Sequence, residues 1–229
     1  MVKNRKIPLE KIFALIMLSF LIIAVLFGIA TRCSYKVYNR SYNPDDAKVY
    51  SHYEIVNKTI NNLDSAAVLN EISTFSSAFV VTVEKNEAIN KATKATVLVN
   101  RVIKGDASLL GSRIAIHQIS YVEYDKRLKE VAFDCLGGLS NVMQVGKEYL
   151  VFADKIDFYD EFQETLDCFE FSTRPDKSLY YFPIDTKVEY IDYIPEKYGD
   201  IKTLDYLCCN KENAQKMQQI VDDILEYYL

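Results

Sequence analysis

The sequence has 229 residues, of which 49% are hydrophobic and 26% are charged, a composition that excludes an intrinsically disordered chain. Its 5 Pro, 7 Gly and 5 Cys exclude a collagen-like sequence and a disulfide-rich scaffold. The net charge is −5, with +3 in residues 1–30 and therefore −8 in the remainder. The larger part of the chain has no net basic charge for nucleic acid, so we expect no such partner.

An uncharged apolar run, Ile12–Ala30, follows a basic tail of residues 1–11. As a helix, its 19 residues span about 28 Å, close to the roughly 30 Å hydrocarbon core of a lipid bilayer. The run predicts a single-pass transmembrane anchor. Two alternatives stay open: a signal peptide cleaved near Ala30, which would release a secreted protein, and a lipoprotein signal at Cys33, which the adjacent Arg32 disfavours.

Lys and Arg flank the run in equal number, with four on each side within about 20 residues, so the positive-inside rule gives little bias. The tail concentrates its charge in 11 residues, and long domains translocate largely regardless of charge. We therefore predict a cytoplasmic tail at a cell membrane, a juxtamembrane linker over 31–43, and an extracytoplasmic globular domain over 44–229.

Helix signals occur at both ends of this domain. A helix start is indicated by Asn43, Pro44 and the two acids that follow. An apolar stripe at helical spacing comes next, formed by Val49, Tyr53, Val56, Ile60 and Leu63. The stripe predicts a helix packed on its own domain or, alternatively, a short self-association seam. Asp64 can cap a short helix over 66–72. Asn210 can cap an amphipathic helix over 211–228, whose apolar stripe begins at Met217 and is expected to pack across the sheet.

The central region changes to period-two patterns rich in β-branched residues, which indicate strands. The predicted strands are Ala78–Val83, Ala95–Ile103, Arg113–Ile119 and Tyr149–Ala153, with weaker candidates at Cys168–Ser172 and Leu179–Pro183. Turn signals separate them at 104–106, 137–138 and 146–147. The segment 120–144 is too long for a hairpin loop, so we expect irregular structure there.

The order of these segments resembles a known family. "SSAFVVTVE", "ATVLVNRVIKGD", "GSRIAIHQI" and "VGKEYLVFA" resemble the netrin-like, TIMP-like version of the OB barrel seen in many secreted or membrane-anchored bacterial proteins of unknown role. The resemblance covers about residues 65–185 and is carried by Gly105, Gly111 and the strand Val145–Phe152. TIMP-like inhibition requires a Cys at the start of the barrel, and Cys33 lies about 40 residues earlier, so no functional residue is carried over.

The resemblance and the helix signals together predict an α+β, mainly β fold. In this prediction a transmembrane helix precedes an OB/netrin-like β-barrel with flanking helices, including the C-terminal amphipathic helix. A five- or six-residue strand length suits such a barrel.

Motifs for catalysis are missing from the sequence, which has no H-E-x-x-H, C-x-x-C, G-x-S-x-G, G-x-G-x-x-G or P-loop. We therefore predict no catalytic residue, no cofactor and no metal site. His117, in a strand, would be the base of an unrecognised hydrolase but is more typical of a structural histidine. The acids at 154–161 lack the glycine and terminal glutamate of the common calcium loop, and indicate a solvated loop.

The cysteines and tyrosines give two further candidates. In an oxidising compartment Cys135–Cys168 is the most plausible disulfide, although connectivity does not follow from sequence. The vicinal pair Cys208–Cys209 would be two thiols, a strained bridge, or partners to different residues. Tyrosine supplies an apolar ring and a polar hydroxyl, so a tyrosine-rich stretch favours an interaction surface or lines a half-wet barrel edge. Its members are Tyr180, Tyr181, Tyr190, Tyr193 and Tyr198.

These features favour a membrane-tethered, extracytoplasmic and non-catalytic module that binds a protein partner. The first alternative is a cell-surface receptor for a sugar, a peptide or a small molecule on the barrel face, because OB barrels bind oligosaccharides there. A pocket with converging polar groups would favour this receptor. The second alternative is the unrecognised hydrolase.

Overall fold

The computed structural model describes residues 9–38, 44–49, 59–89, 92–125, 130–134, 139–156, 170–172, 179–185, 187–193 and 195–229. The chain divides into two compact units, Met1–Asn43 and Pro44–Leu229. The predicted linker over 31–43 and globular domain over 44–229 stay predictions.

The first unit contains helix α1, Leu9–Tyr38. Its described side chains, at Phe13 and from residue 16 to residue 31, are all exposed. Over the described residues, no helix is long and apolar enough to cross a membrane. The predicted anchor over 12–30 is therefore unsupported by the structure and rests on the sequence.

The second unit is mainly β, with helices at its two ends. Its helices are α2 (Ser65–Ser73) and α3 (Lys211–Tyr228), with short 3-10 turns at Pro44–Asp46, Ala107–Leu109 and Tyr198–Asp200. Its strands are β1 (Lys48–Val49), β2 (Ser77–Ile89), β3 (Ala92–Lys104), β4 (Arg113–Gln118), β5 (Tyr121–Asp125), β6 (Glu130–Asp134), β7 (Glu148–Lys155), β8 (Glu170–Ser172) and β9 (Tyr181–Pro183). The predicted α+β, mainly β class is confirmed.

The larger sheet has the order β2-β3-β4-β8-β7-β9, and β2 also pairs with β7. All its pairings are antiparallel except that of β4 with β8, which is parallel. The sheet therefore curls back on itself. It is not a closed barrel, because the described part of β8 has three residues and joins β7 through two of them. The barrel prediction is thus met only in part.

The curled sheet encloses the core. Along β3 the side chains alternate, with Thr93, Ala95, Val97 and Val99 buried and the intervening ones partly exposed, as the period of two requires. Positive φ values of +107° at Gly105 and +75° at Gly111 confirm that these glycines form the tight turns that the sequence predicts.

The segment 120–144 differs from prediction. It contains β5 and β6, which pair as an antiparallel hairpin, and β1 adds to β6 in parallel to form a three-stranded sheet. The helix predicted from Asn43 is wrong at its start, where Pro44–Asp46 form a 3-10 turn. It is confirmed over residues 59–62, which are helical and include the fully buried Ile60 of the predicted stripe. Val49 lies in β1, where its amide donates to the carbonyl of Glu196, so tertiary pairing overrides the helical spacing. Tyr53 and Val56 lie outside the described residues.

Both other predicted helices are confirmed together with their caps. Asp64 Oδ1 accepts from the amide of Ala67 at 2.7 Å, and Asn210 Oδ1 accepts from the amide of Asn213 at 2.8 Å. The stripe of α3 is buried at Met217, Ile220, Val221 and Ile224. Because α3 packs on α2 and β9, it covers part of the larger sheet, as the sequence predicted.

Candidate functional site

Most tyrosines of the predicted interaction surface are buried, which contradicts that role for them. Tyr180 and Tyr181 have no exposed area, and Tyr198 is 8% exposed. Tyr190 and Tyr193 are 43% and 52% exposed. Only these last two members of the predicted set can contact a partner directly.

The buried tyrosines have structural partners that explain their burial. The Tyr181 hydroxyl lies 3.0 Å from the carbonyl of Asn141 and 2.5 Å from that of Asp205. The Tyr198 ring stacks on Phe133 with centroids 4.8 Å apart. Burial raises the pKa of the Tyr181 hydroxyl well above its ordinary value, so the phenol stays neutral and can be placed in the core with its hydrogen bonds satisfied.

Both cysteines of the predicted disulfide, Cys135 and Cys168, lie outside the described residues. Neither member of the vicinal pair is in a disulfide; Cys208 is buried and Cys209 is half-buried. Burial raises the pKa of the Cys208 thiol to about 12. Cys208 is therefore protonated near neutrality and is unsuited to act as a nucleophile or a metal ligand.

A cleft of about 450 Å³ opens on the second unit beside Asp205. We call it the Asp205 cleft and define it by its lining residues, which are Gln144, Val145, Lys147, Lys187, Glu189, Thr203 and Asp205. Four of the seven carry charge, two of each sign, so the formal charge of the lining is zero. Its volume lies within the range of roughly 300–1,000 Å³ that is usual for small-molecule sites.

The floor of the cleft is a buried polar network centred on Asp205, which is 6% exposed. One carboxylate oxygen accepts from the Tyr149 hydroxyl at 2.7 Å, and the other pairs with Lys147 Nζ at 3.0 Å. The Tyr149 hydroxyl in turn accepts from the amide of Gln144 at 2.8 Å. Both oxygens of Asp205 are thus engaged, which is the condition for burying a carboxylate without a large penalty.

Local structure fixes each member of this network. Gly146 forms a turn with φ at +86°, and the backbone of Val83 in β2 bonds to the amide of Gly146 and to the carbonyl of Lys147. On the other side, the backbone of Asn141 donates to the Asp205 carbonyl at 2.9 Å. The Asn141 side-chain amide also donates to the carbonyls of Ile201 and Leu204. The floor is therefore rigid on both sides.

The rim of the cleft is exposed, and its side chains are polar apart from that of Val145. Lys187, Glu189 and Thr203 are all exposed. Neither Lys187 nor Glu189 forms an ion pair with any residue that the structure describes. The rim therefore offers charges without an ion-pair partner in the described part of the chain, and a hydroxyl, above a hydrogen-bonded floor. This arrangement can bind a polar group from solvent.

The chemistry of the floor favours binding over proton transfer. Burial and the charge of Asp205 raise the pKa of the Tyr149 hydroxyl far above its ordinary value of 10.0. A phenol held neutral at every physiological pH donates a hydrogen bond but does not act as a base. Lys147 Nζ has three N–H donors, of which Asp205 takes one, so Lys147 can donate to a ligand.

The other residues raised by the sequence lie elsewhere. His117 is half-buried in β4, in register with Lys94 of β3 and Ser172 of β8. Asp154 accepts from the amide of Ser76 at 2.8 Å, and residues 157–161 lie outside the described part of the chain. Within the described ranges, no group of three or more His, Cys, Asp or Glu side chains is placed to hold a metal ion.

Comparison with known proteins adds no assignment: the chain matches no protein-family model and no curated protein.

Sequence reasoning missed the residues that form the cleft floor. Lys147 and Tyr149 lie in "VGKEYLVFA", which was predicted to form a turn and a core strand. Asp205 stands between Leu204 and Tyr206, both buried. A lone acid inside an apolar stretch was the available signal, because such an acid is buried only where it has a partner.

Proposed function

We propose that this protein is a membrane-tethered, extracytoplasmic and non-catalytic binding module, and that its ligand site is the Asp205 cleft. The class of function is a cell-surface receptor for a peptide, a sugar or a small molecule. The observation that supports this proposal is a concave site with a rigid, hydrogen-bonded floor. The charges on its rim have no ion-pair partner among the described residues. Converging polar groups in a cleft of this size are typical of ligand sites.

The tether is proposed from the sequence. The apolar run Ile12–Ala30 includes residues 12, 14 and 15, whose side chains lie outside the described set, and the tail before it carries net positive charge. Protease added to intact cells should remove the second unit and leave a short membrane-bound fragment. Full protection of the second unit would contradict an extracytoplasmic position.

The fold proposed for the module is a partly open barrel of the OB type. OB folds are five-stranded, partly open Greek-key barrels, and here β2, β3, β4, β8 and β7 pair in a cycle that returns to β2. The single parallel pairing of the larger sheet, β4 with β8, supports the same proposal because it requires a crossover rather than a hairpin. The netrin-like subtype rests on the sequence resemblance.

Thermal denaturation of the full-length protein in detergent tests the receptor function. The probes are glycine, L-alanyl-L-alanine, glucose and maltose, each at millimolar concentration. Bound ligand stabilises the folded state, so at least one probe should raise the melting temperature. Lys187→Gln should abolish that rise, whereas Lys211→Gln, an exposed lysine of α3, should retain it. If no probe stabilises the wild-type protein, the receptor function is rejected.

The second candidate function is binding of a protein partner beside the cleft. The observation that favours it is the exposure of Tyr190 and Tyr193, which lie one and four residues after the cleft residue Glu189. Tyrosine is enriched at interfaces. Purification from native membranes should recover a stoichiometric partner that is lost with Tyr190→Ser/Tyr193→Ser and kept with Tyr227→Ser, where the tyrosine is 70% exposed on α3. Recovery of a pure, partner-free protein would reject this candidate.

A further inference from the structure

We propose that the ligand of the Asp205 cleft carries both an ammonium and a carboxylate group, as a short peptide does. The inference rests on the proposed function, because it names the ligand class of the same cleft. It follows from the positions of Lys187 and Glu189 and from the remaining N–H donors of Lys147 in the floor.

The chain places Lys187 and Glu189 on the same side of one segment. Val188 between them is 7% exposed, and its amide donates to Gln218 Oε1 of α3 at 2.7 Å. With Val188 anchored inward, the two flanking side chains both lie on the cleft. The Cα atoms of residues i and i+2 are at most about 7 Å apart, so a positive and a negative side chain start close together on one wall.

The two charges on this wall are not neutralised by other described residues. The charges on the floor neutralise each other, because Lys147 pairs with Asp205. A ligand therefore meets one net cation, Lys187, and one net anion, Glu189. An extended dipeptide also spans about 7 Å, so its two ends are far enough apart to approach both residues.

Charge complementarity selects among ligands. A purely anionic ligand is attracted to Lys187 and repelled by Glu189, and a purely cationic ligand meets the reverse. A zwitterion is attracted at both ends when its carboxylate lies towards Lys187 and its ammonium towards Glu189. Lys147 supplies further donors for the carboxylate, whereas each oxygen of Asp205 already accepts a hydrogen bond from a residue of the floor. A neutral sugar gains from neither charge.

Three probes of nearly equal size isolate the two charges: L-alanyl-L-alanine, its N-acetyl derivative and its C-terminal amide. Isothermal titration calorimetry uses the full-length protein in detergent at pH 6.5, where the terminal amine is protonated. The free dipeptide should bind at least about five-fold more tightly than either derivative, as expected for loss of one partly solvated charge pair. Equal affinity for all three, or no binding of the dipeptide, overturns the inference.

Variants assign each end of the ligand. Glu189→Gln should bind the dipeptide and its N-acetyl derivative with about equal affinity. Lys187→Gln should reduce the difference in affinity between the dipeptide and its C-terminal amide. The controls are Glu226→Gln and Lys211→Gln, two exposed positions of α3 that should behave like the wild type. If Glu189→Gln keeps the full preference for the free amine, the assignment is wrong.

The outcomes separate this inference from the receptor function. If maltose or a blocked dipeptide binds in a manner that Lys187→Gln abolishes, the cleft is a ligand site and only the zwitterion class fails. If none of the dipeptides or sugars binds, both fail together.

Discussion

Replacing Asp205 by alanine tests whether the cleft floor is an energetically coupled network. The change removes the acceptor of the Tyr149 hydroxyl and the partner of Lys147. A buried hydroxyl without a partner costs about 1–3 kcal/mol. Breaking a fully buried ion pair costs about 3–5 kcal/mol, but the Lys147 side chain is 33% exposed and can turn to solvent, so about 1 kcal/mol is reasonable for it. We expect a loss of about 2–4 kcal/mol.

The free energy of unfolding can be measured by urea denaturation of the full-length protein, followed by the near-ultraviolet circular dichroism of its 17 tyrosines. Asp205→Asn keeps an acceptor for Tyr149 and should cost less than Asp205→Ala. The matched control is Asp192→Ala, which removes an exposed acid and should change stability by less than about 0.5 kcal/mol. If Asp205→Ala and Asp192→Ala have the same effect, the network does not stabilise the fold and the reasoning is refuted.

Gly105→Ala should lower the free energy of unfolding by about 2–3 kcal/mol, since φ is +107° and a methyl group would lie 3.0 Å from Ser77 Oγ. Gly111→Ala, at +75° with open space around it, should cost about 1–2 kcal/mol. Equal urea midpoints for the two variants would contradict a clash between Ser77 and the methyl group added at position 105. Native Cys208, with its pKa raised to about 12, should resist iodoacetamide at pH 8 until the protein unfolds, as mass spectrometry can show. Stability should be full below pH 9 and fall above it, because unfolded Cys208 and Tyr181 ionise near 9.0 and 10.0 while their folded pKa values are higher. Constant stability from pH 8 to 11 would rule this out.

Local signals predicted the elements whose stability is local. Asp64 and Asn210 were expected to cap helices, and both do so, because a cap needs only the residue and the amide three positions on. The glycine turns at 105 and 111 are of the same kind. The strand patterns in β2, β3, β4 and β7 also held, since a strand with one buried face requires alternation whatever its partner is.

Tertiary contacts decided the elements that the sequence did not predict. Val49 fits a helical stripe, yet it pairs in parallel with Phe133 of β6. Tyr180 and Tyr181 were predicted to belong to an interaction surface, and side chains of neighbouring residues in a strand do point to opposite faces. Every residue from 179 to 183 is buried, as in a strand covered on both faces. Which strand is doubly covered depends on how the rest of the chain packs.

The Asp205 cleft could not be predicted because its floor joins two segments that lie far apart in the sequence. Asn141, Lys147 and Asp205 meet only when the backbone of 139–147 lies against that of 201–207. None of the three belongs to a motif with fixed spacing. Their common feature is polarity next to apolar neighbours, which marks a buried hydrogen-bonding group but does not name its partner.

The Lys147–Asp205 pair is better explained by positioning than by stability. Burying a carboxylate and an ammonium costs desolvation energy that their attraction repays only with good geometry, and a well-packed apolar pair of similar volume is often as stable. The pair nevertheless forms at the bottom of an open cleft, where Tyr149 completes the hydrogen bonds of Asp205. Its effect there is to hold Lys147 Nζ at a fixed point with donors left for a ligand. A neutral apolar floor would leave the rim charges of Lys187 and Glu189 without a third polar contact, and the cleft would lose the donor that fixes the orientation of a bound carboxylate.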